Sequence, residues 1–123
     1  MKEVKSNSAP APVGPYSQAV TSNGFIFVSG QIPLDDNGQL LNGDIKQQTR
    51  LIFKNIEAIL NEAGSGLDKI VKISVFLNNL DYFEAANEVF AEMLKEPYPA
   101  RETIEISRLP KNADIEISAI AEI

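Results

Sequence analysis

The residues best placed to do chemistry lie in the last quarter of the chain, PARETIEISRLPKNADIEISAIAEI, Pro99 to Ile123. Arg101 follows Pro97 and Pro99, where a rigid loop gives way to a strand. A period of two puts Arg101, Thr103, Glu105 and Ser107 on one face, with Ile104 and Ile106 on the other. A second alternating run gives Ile115, Ile117, Ala119, Ala121 and Ile123 an apolar face, with Asp114, Glu116, Ser118, Ile120 and Glu122 opposite. The Leu109-Pro110-Lys111-Asn112 turn between the runs predicts a hairpin. A guanidinium is a rigid fork that grips a carboxylate at two points. From the residues alone two readings of Arg101 stand side by side: a salt bridge to Glu105 or Glu116, or a grip on a ligand carboxylate.

Composition narrows the chemistry. The chain has 123 residues, which predicts a single domain over 1–123 with a real core. It has no cysteine, so disulfides, thiolate metal sites and thiol catalysis are excluded. It has no histidine, which removes the usual zinc sites, the Ser-His-Asp triad and paired-histidine ribonuclease chemistry. Unaided proton transfer must then use Glu, Asp, Tyr or Lys, or water. A net charge of −6 and a pI near 4.6 disfavour general nucleic-acid binding. The nearest thing to a basic patch is Lys69, Lys72, Arg50 and Lys54. No phosphate loop, dinucleotide fingerprint or metal-ligand cluster occurs, and Gly64-Ser65-Gly66 reads as a helix stop. No apolar stretch is long enough to span a membrane. The segment MKEVKSNSAPAP lacks an apolar targeting core, so a cytoplasmic location is expected.

The elements that position these residues follow in order. Pro10, Pro12 and Pro15 predict an extended arm over residues 1–13. Gly14-Pro15-Tyr16-Ser17 is a tight feature with an aromatic hydroxyl, and Gln18 to Thr21 reads as a first strand. Asn23-Gly24 is a strong hairpin signal before a buried strand, Phe25 to Ser29, that ends at Gly30. Asp35-Asp36-Asn37-Gly38 is a turn. Asp44 caps a helix whose stripe is Ile45, Ile52, Ile56, Ile59, Leu60 and Ala63, stopped by Gly64. Asp68 to Leu77 reads as a central strand, with Val71, Ile73, Val75 and Leu77 on one face. A second helix follows, with Asp81 and Glu84 in a capping arrangement and Pro97 beyond its end. Its core side is Tyr82, Phe83, Ala86, Val89, Phe90, Met93 and Leu94; Asn87 falls inside that stripe. The predicted order is β-β-α-β-α-β-β: a two-layer α+β domain, both helices on one face of the sheet. The other face, part apolar, suggests burial against further subunits.

Four stretches, GPYSQAV (14–20), FVSGQIP (27–33), IVKISVFL (70–77) and PARETIEISRLPKNADIEISAIA (99–121), resemble the RidA family, also called YjgF/YER057c/UK114. The resemblance covers nearly the whole chain. It implies a chorismate-mutase-like fold with a mixed sheet, and a homotrimer with ligand sites in the clefts between subunits. It implies hydrolytic deamination of reactive enamines and imines (2-aminoacrylate, 2-iminobutanoate, 2-iminopropanoate) to 2-oxo acids and ammonia. These intermediates come from pyridoxal-phosphate enzymes; the family itself carries no cofactor and no metal for this reaction. Carried over by position, Arg101 binds the substrate carboxylate and Glu116 is the acid that positions or activates water. Tyr16, Ser29, Gly30 and Asn87 line the pocket, and main-chain groups near Thr103 help place the water. Many close relatives have cysteine where this chain has Thr103, so a thiol role there is absent. Two other readings compete: a single-strand endoribonuclease that inhibits translation, and a non-catalytic trimer that binds small carboxylates and regulates a partner.

Overall fold

The computed structural model describes residues 1–123. One six-stranded sheet contains β1 (Lys2–Val4), β2 (Ala19–Ser22), β3 (Phe25–Gln31), β4 (Ile70–Leu77), β5 (Ala100–Glu105) and β6 (Ile115–Glu122). Its spatial order is β1-β2-β3-β6-β4-β5. Every neighbouring pair is antiparallel except β4 and β5, which run parallel, so the sheet is mixed. Helices α1 (Ile45–Glu62) and α2 (Phe83–Met93) cover one face, as the α+β reading expects.

Local chemistry explains the elements the sequence made legible. Asn23 and Gly24 both have positive φ (51° and 81°), the conformation a two-residue β2–β3 hairpin demands. The Asp44 carboxylate accepts from the Lys46 N–H and starts α1. Along α1, Ile45, Ile52, Ile56, Ile59 and Leu60 are buried at helical spacing, and Phe53 lies beside them, edge-on to Phe90 of α2. On the sheet, Ile73, Val75 and Leu77 of β4 and Ile115, Ile117, Ala119 and Ala121 of β6 complete the same core.

Five expectations are corrected. Residues 2–4 are not a free arm: β1 pairs with β2, and the Gln18 carboxamide ties the segment that follows. Gln18 accepts from the Ser6 N–H at 2.7 Å and donates to the Pro10 carbonyl at 2.8 Å. Only Val4 of β1 reaches the core, too little apolar alternation to announce a strand. Next, β5 and β6 are not a hairpin, because β4 lies between them and β5 joins as a parallel edge strand after the α2 crossover. Then β4 is one place in from the edge, not central; β3 and β6 are the middle strands. Residues 67–69 form a 3₁₀ turn before it, and a register shift between Ile70 and Lys72 buries Ile70 and exposes Val71. Finally, Asp81 caps nothing: the Asn79 side chain accepts from the Asp81 N–H and closes a 3₁₀ turn ahead of α2.

The uncovered face carries Phe27, Phe76, Ile104 and Ile120 among polar groups, with Phe27 and Ile104 exposed. Ile26, beside Phe27 on β3, points the other way and is in the core. No helix is long and apolar enough to cross a membrane.

Candidate functional site

Register decides where the chemistry-bearing side chains point. Arg101 lies opposite Ile73 and Thr103 opposite Val75, so both take the helix-covered face at the sheet's edge. Glu116 lies opposite Phe76 and takes the open face. Arg101 and Glu116 of one chain are therefore on opposite sides of the sheet, and neither expected salt bridge forms. Glu105 accepts instead from the Leu80 N–H, and Arg101 has no carboxylate partner.

Helix α2 holds Arg101. Residues 83, 87 and 90 fall on one stripe at i, i+4 and i+7. The guanidinium carbon lies 5.2 Å from the Phe83 ring centre and 5.4 Å from that of Phe90. Between these rings, Arg101 Nη1 donates to Asn87 Oδ1 at 2.7 Å. Cation–π contact and one neutral hydrogen bond fix the fork while leaving its charge uncompensated. Beside it opens a cleft of about 330 Å³, walled by Phe90, Leu94, Tyr98 and Pro99. Sequence reasoning placed Phe83 and Phe90 in the core and missed this second role. The signal was Asn87, a polar residue inside an apolar stripe.

The open-face half gathers around Glu116. Its half-buried carboxyl has no hydrogen-bonding partner, and burial alone pushes its pKa above the ordinary glutamate value of 4.5. Gly30 makes room for it: a Cβ at position 30 would sit 2.7 Å from Glu116 Cδ and 2.9 Å from Oε2. Glycine here serves close approach. Tyr16, Gly30, Pro110, Lys111 and Glu116 line a smaller cleft of about 110 Å³. Ser29 of β3 ties down the turn that carries Tyr16, its hydroxyl donating to the Ser17 carbonyl at 2.6 Å. Thr103 Oγ1 is buried without a partner, and β5, as an edge strand, leaves main-chain groups free on its outer side. One chain thus brings Tyr16, Gly30 and Glu116 together, and separately Arg101 and Asn87.

Two of the four cations that came nearest to a basic patch are taken by acids. Arg50 of α1 pairs with Glu92 and Lys72 of the open sheet face pairs with Glu102.

Comparison with known proteins agrees with this architecture. A family model described as Endoribonuclease L-PSP matches residues 6–123. A RutC family protein of Pyrococcus abyssi is 52% identical over 114 residues, spanning 92% of this chain and 90% of its own. RidA from the Antarctic bacterium Psychrobacter superposes with a TM-score of 0.96 at 40% identity, covering 100% of both chains. Escherichia coli TdcF, solved with bound serine, superposes at 0.91 with 36% identity over 100% of this chain and 99% of its own. The chain belongs to the RidA family.

Proposed function

We propose that this protein hydrolyses small 2-imino and 2-enamino carboxylates, 2-iminobutanoate and 2-iminopropanoate among them, to 2-oxo acids and ammonia. The observation that carries the reading is Arg101: a guanidinium held rigidly by neutral groups, beside an open cleft, with no carboxylate of its own. Such a fork is preorganised for a ligand carboxylate. TdcF, a relative with serine bound, holds a molecule of the same carboxylate class.

On this proposal two chains share each site, which the opposite placement of Arg101 and Glu116 within one chain supports. In this reading a homotrimer sets Arg101 and the β5 edge of one subunit against Tyr16, Gly30 and Glu116 of the next. Exposed Tyr16 and Phe27 supply apolar surface for the contact. An enamine first takes a proton at C3 and becomes the iminium. Arg101 grips the carboxylate, and main-chain groups near Thr103 align a water against C2. Water attacks; the C2–O bond forms as the C=N π pair moves to nitrogen. Glu116 accepts the water's proton and returns it to nitrogen. The carbinolamine hydroxyl then gives its proton to Glu116 as the C=O bond forms, the C–N bond breaks and ammonia leaves. A carboxyl raised by burial suits this two-way transfer. The pocket uses Ser29 to brace the Tyr16 turn, and no step calls on a metal or cofactor.

The test couples a threonine dehydratase to L-threonine and traps released imine with semicarbazide. Catalytic amounts of this protein should suppress adduct formation, and Arg101→Ala should not. Equal suppression by both would remove Arg101 from the site; no suppression by either would exclude this activity on this imine.

The bound serine of TdcF also favours a second reading, a carboxylate-binding regulator without turnover. Under it, Glu116→Gln keeps full binding and there is no turnover to lose. A third, ribonuclease, reading comes from the family description. The net charge of −6 and the dispersed, paired cations weigh against it.

A further inference from the structure

We infer that Asn87 is a positioning residue whose specific task is to orient Arg101 without neutralising it. The inference rests on the carboxylate-gripping role of Arg101 proposed above and deepens it. Asn87 Oδ1 takes one Nη1 hydrogen of Arg101 at 2.7 Å, and no other side chain hydrogen-bonds that guanidinium. Phe83 and Phe90 hold its carbon between 5 and 6 Å from their centres, again without a formal charge. All three come from one stripe of α2. The same helix offers glutamates at 84, 88 and 92, each an acidic partner an arginine could take. Two are already taken, Glu88 by Lys46 and Glu92 by Arg50. So α2 directs two of its three acids toward α1 and its neutral acceptor toward Arg101. An amide and a carboxylate have nearly the same shape and both accept at Oδ1. They differ in charge, and charge is what a ligand carboxylate must find uncompensated.

Asn87 is exposed, so substitution there leaves the core intact. The experiment compares wild type, Asn87→Asp, Asn87→Ala and Arg101→Ala. It reads Kd for 2-oxobutanoate by calorimetry, and kcat and KM in the semicarbazide assay. Asn87→Asp keeps shape and acceptor but adds a negative charge in contact with the fork. It should weaken 2-oxobutanoate binding and raise KM by about tenfold or more, with kcat changing less. Asn87→Ala removes the acceptor without adding charge and should be the milder of the two. A merely structural role predicts the reverse order, because alanine loses the contact that aspartate retains. Asn87→Ala equal to or worse than Asn87→Asp overturns the inference while wild type binds and Arg101→Ala does not. If Arg101→Ala binds and turns over like wild type, the parent reading fails and this inference with it. Binding is measured on folded protein, so a variant of lower stability still reports the order.

Discussion

Two arginines lie against helix α2, and they are held in opposite ways. Arg50 reaches across from α1 and grips both Glu92 oxygens, Nε at 2.8 Å and Nη2 at 3.0 Å. Hydrogen bonding to Arg50 holds the Glu92 carboxyl below its ordinary value. Arg101 meets the same helix at Asn87, Phe83 and Phe90, and no acid. The first fork is satisfied and ties two helices together. The second is equally ordered but unsatisfied in charge, in a protein with a net charge of −6. In the proposed reading, a guanidinium left without a carboxylate beside an open cleft is poised to receive an external one. The contrast separates a structural arginine from the one proposed to bind a ligand by partner chemistry; both are exposed.

Breaking the contrast from the Arg101 side should give the largest effect. Arg101→Ala should lower imine turnover by about a hundredfold or more while the melting temperature stays close to wild type. Loss of folding together with activity would place Arg101 among the structural arginines after all.

Glu116→Gln comes next and carries an opposite sign in stability. Turnover should fall by about a hundredfold, the ordinary worth of a positioned acid–base group. Burial raises the folded-state pKa of Glu116 above 4.5, so its ionised form costs stability at neutral pH. Relative to the charged state, that stability is regained as pH falls through the raised pKa, and is complete below 4.5. Glutamine removes the cost, so the variant should melt slightly higher than wild type at pH 7. The advantage should vanish below about pH 4. Melting curves across pH check both the sign and the window.

How far the sequence could carry these assignments depended on what each pattern encodes. Helix α1 was legible end to end because its cap, its isoleucine stripe and Gly64, at φ 78°, agree with one another. Alternation assigned the faces within β5 and within β6 correctly: Ile115, Ile117, Ala119 and Ala121 are buried, and Glu116 lies opposite. Alternation says nothing of which strand pairs with which. The two runs separated by Leu109 to Asn112 look like a hairpin, yet β4 lies between them, and its register sets Arg101 beside Ile73 on one face and Glu116 beside Phe76 on the other. The expected Arg101–Glu116 pairing failed for that reason. The resemblance to a known family identified both residues. Neither it nor the spacing revealed that Phe83 and Phe90 cradle Arg101, since a core aromatic and a cation–π aromatic share one pattern at helical spacing. The β1 strand escaped because its pairing is main-chain hydrogen bonding, nearly independent of side-chain type.

A smaller perturbation sharpens the Glu116 half. Gly30→Ala introduces a methyl 2.7 Å from Glu116 Cδ, so the carboxyl must move. Turnover should fall by about tenfold through kcat, with little change in binding of 2-oxobutanoate, because the Arg101 half is untouched. An unchanged kcat would mean that the position of Glu116 is not critical.

The mildest effect belongs to Arg50. Its ion pair with Glu92 is exposed on both sides, where screening and side-chain entropy offset most of the attraction. A neighbouring rung, Lys46 with Glu88, already links the same two helices. Arg50→Ala should therefore leave kcat and KM for the imine at wild-type values. Its melting temperature should drop slightly, and the drop should shrink as salt is added. The matched experiment is Arg101→Ala under the same conditions, where activity falls and melting holds. If Arg50→Ala also cost activity, the two arginines would be coupled through α2. The neutral cradle at Asn87 would then depend on the acidic partners along the rest of the helix.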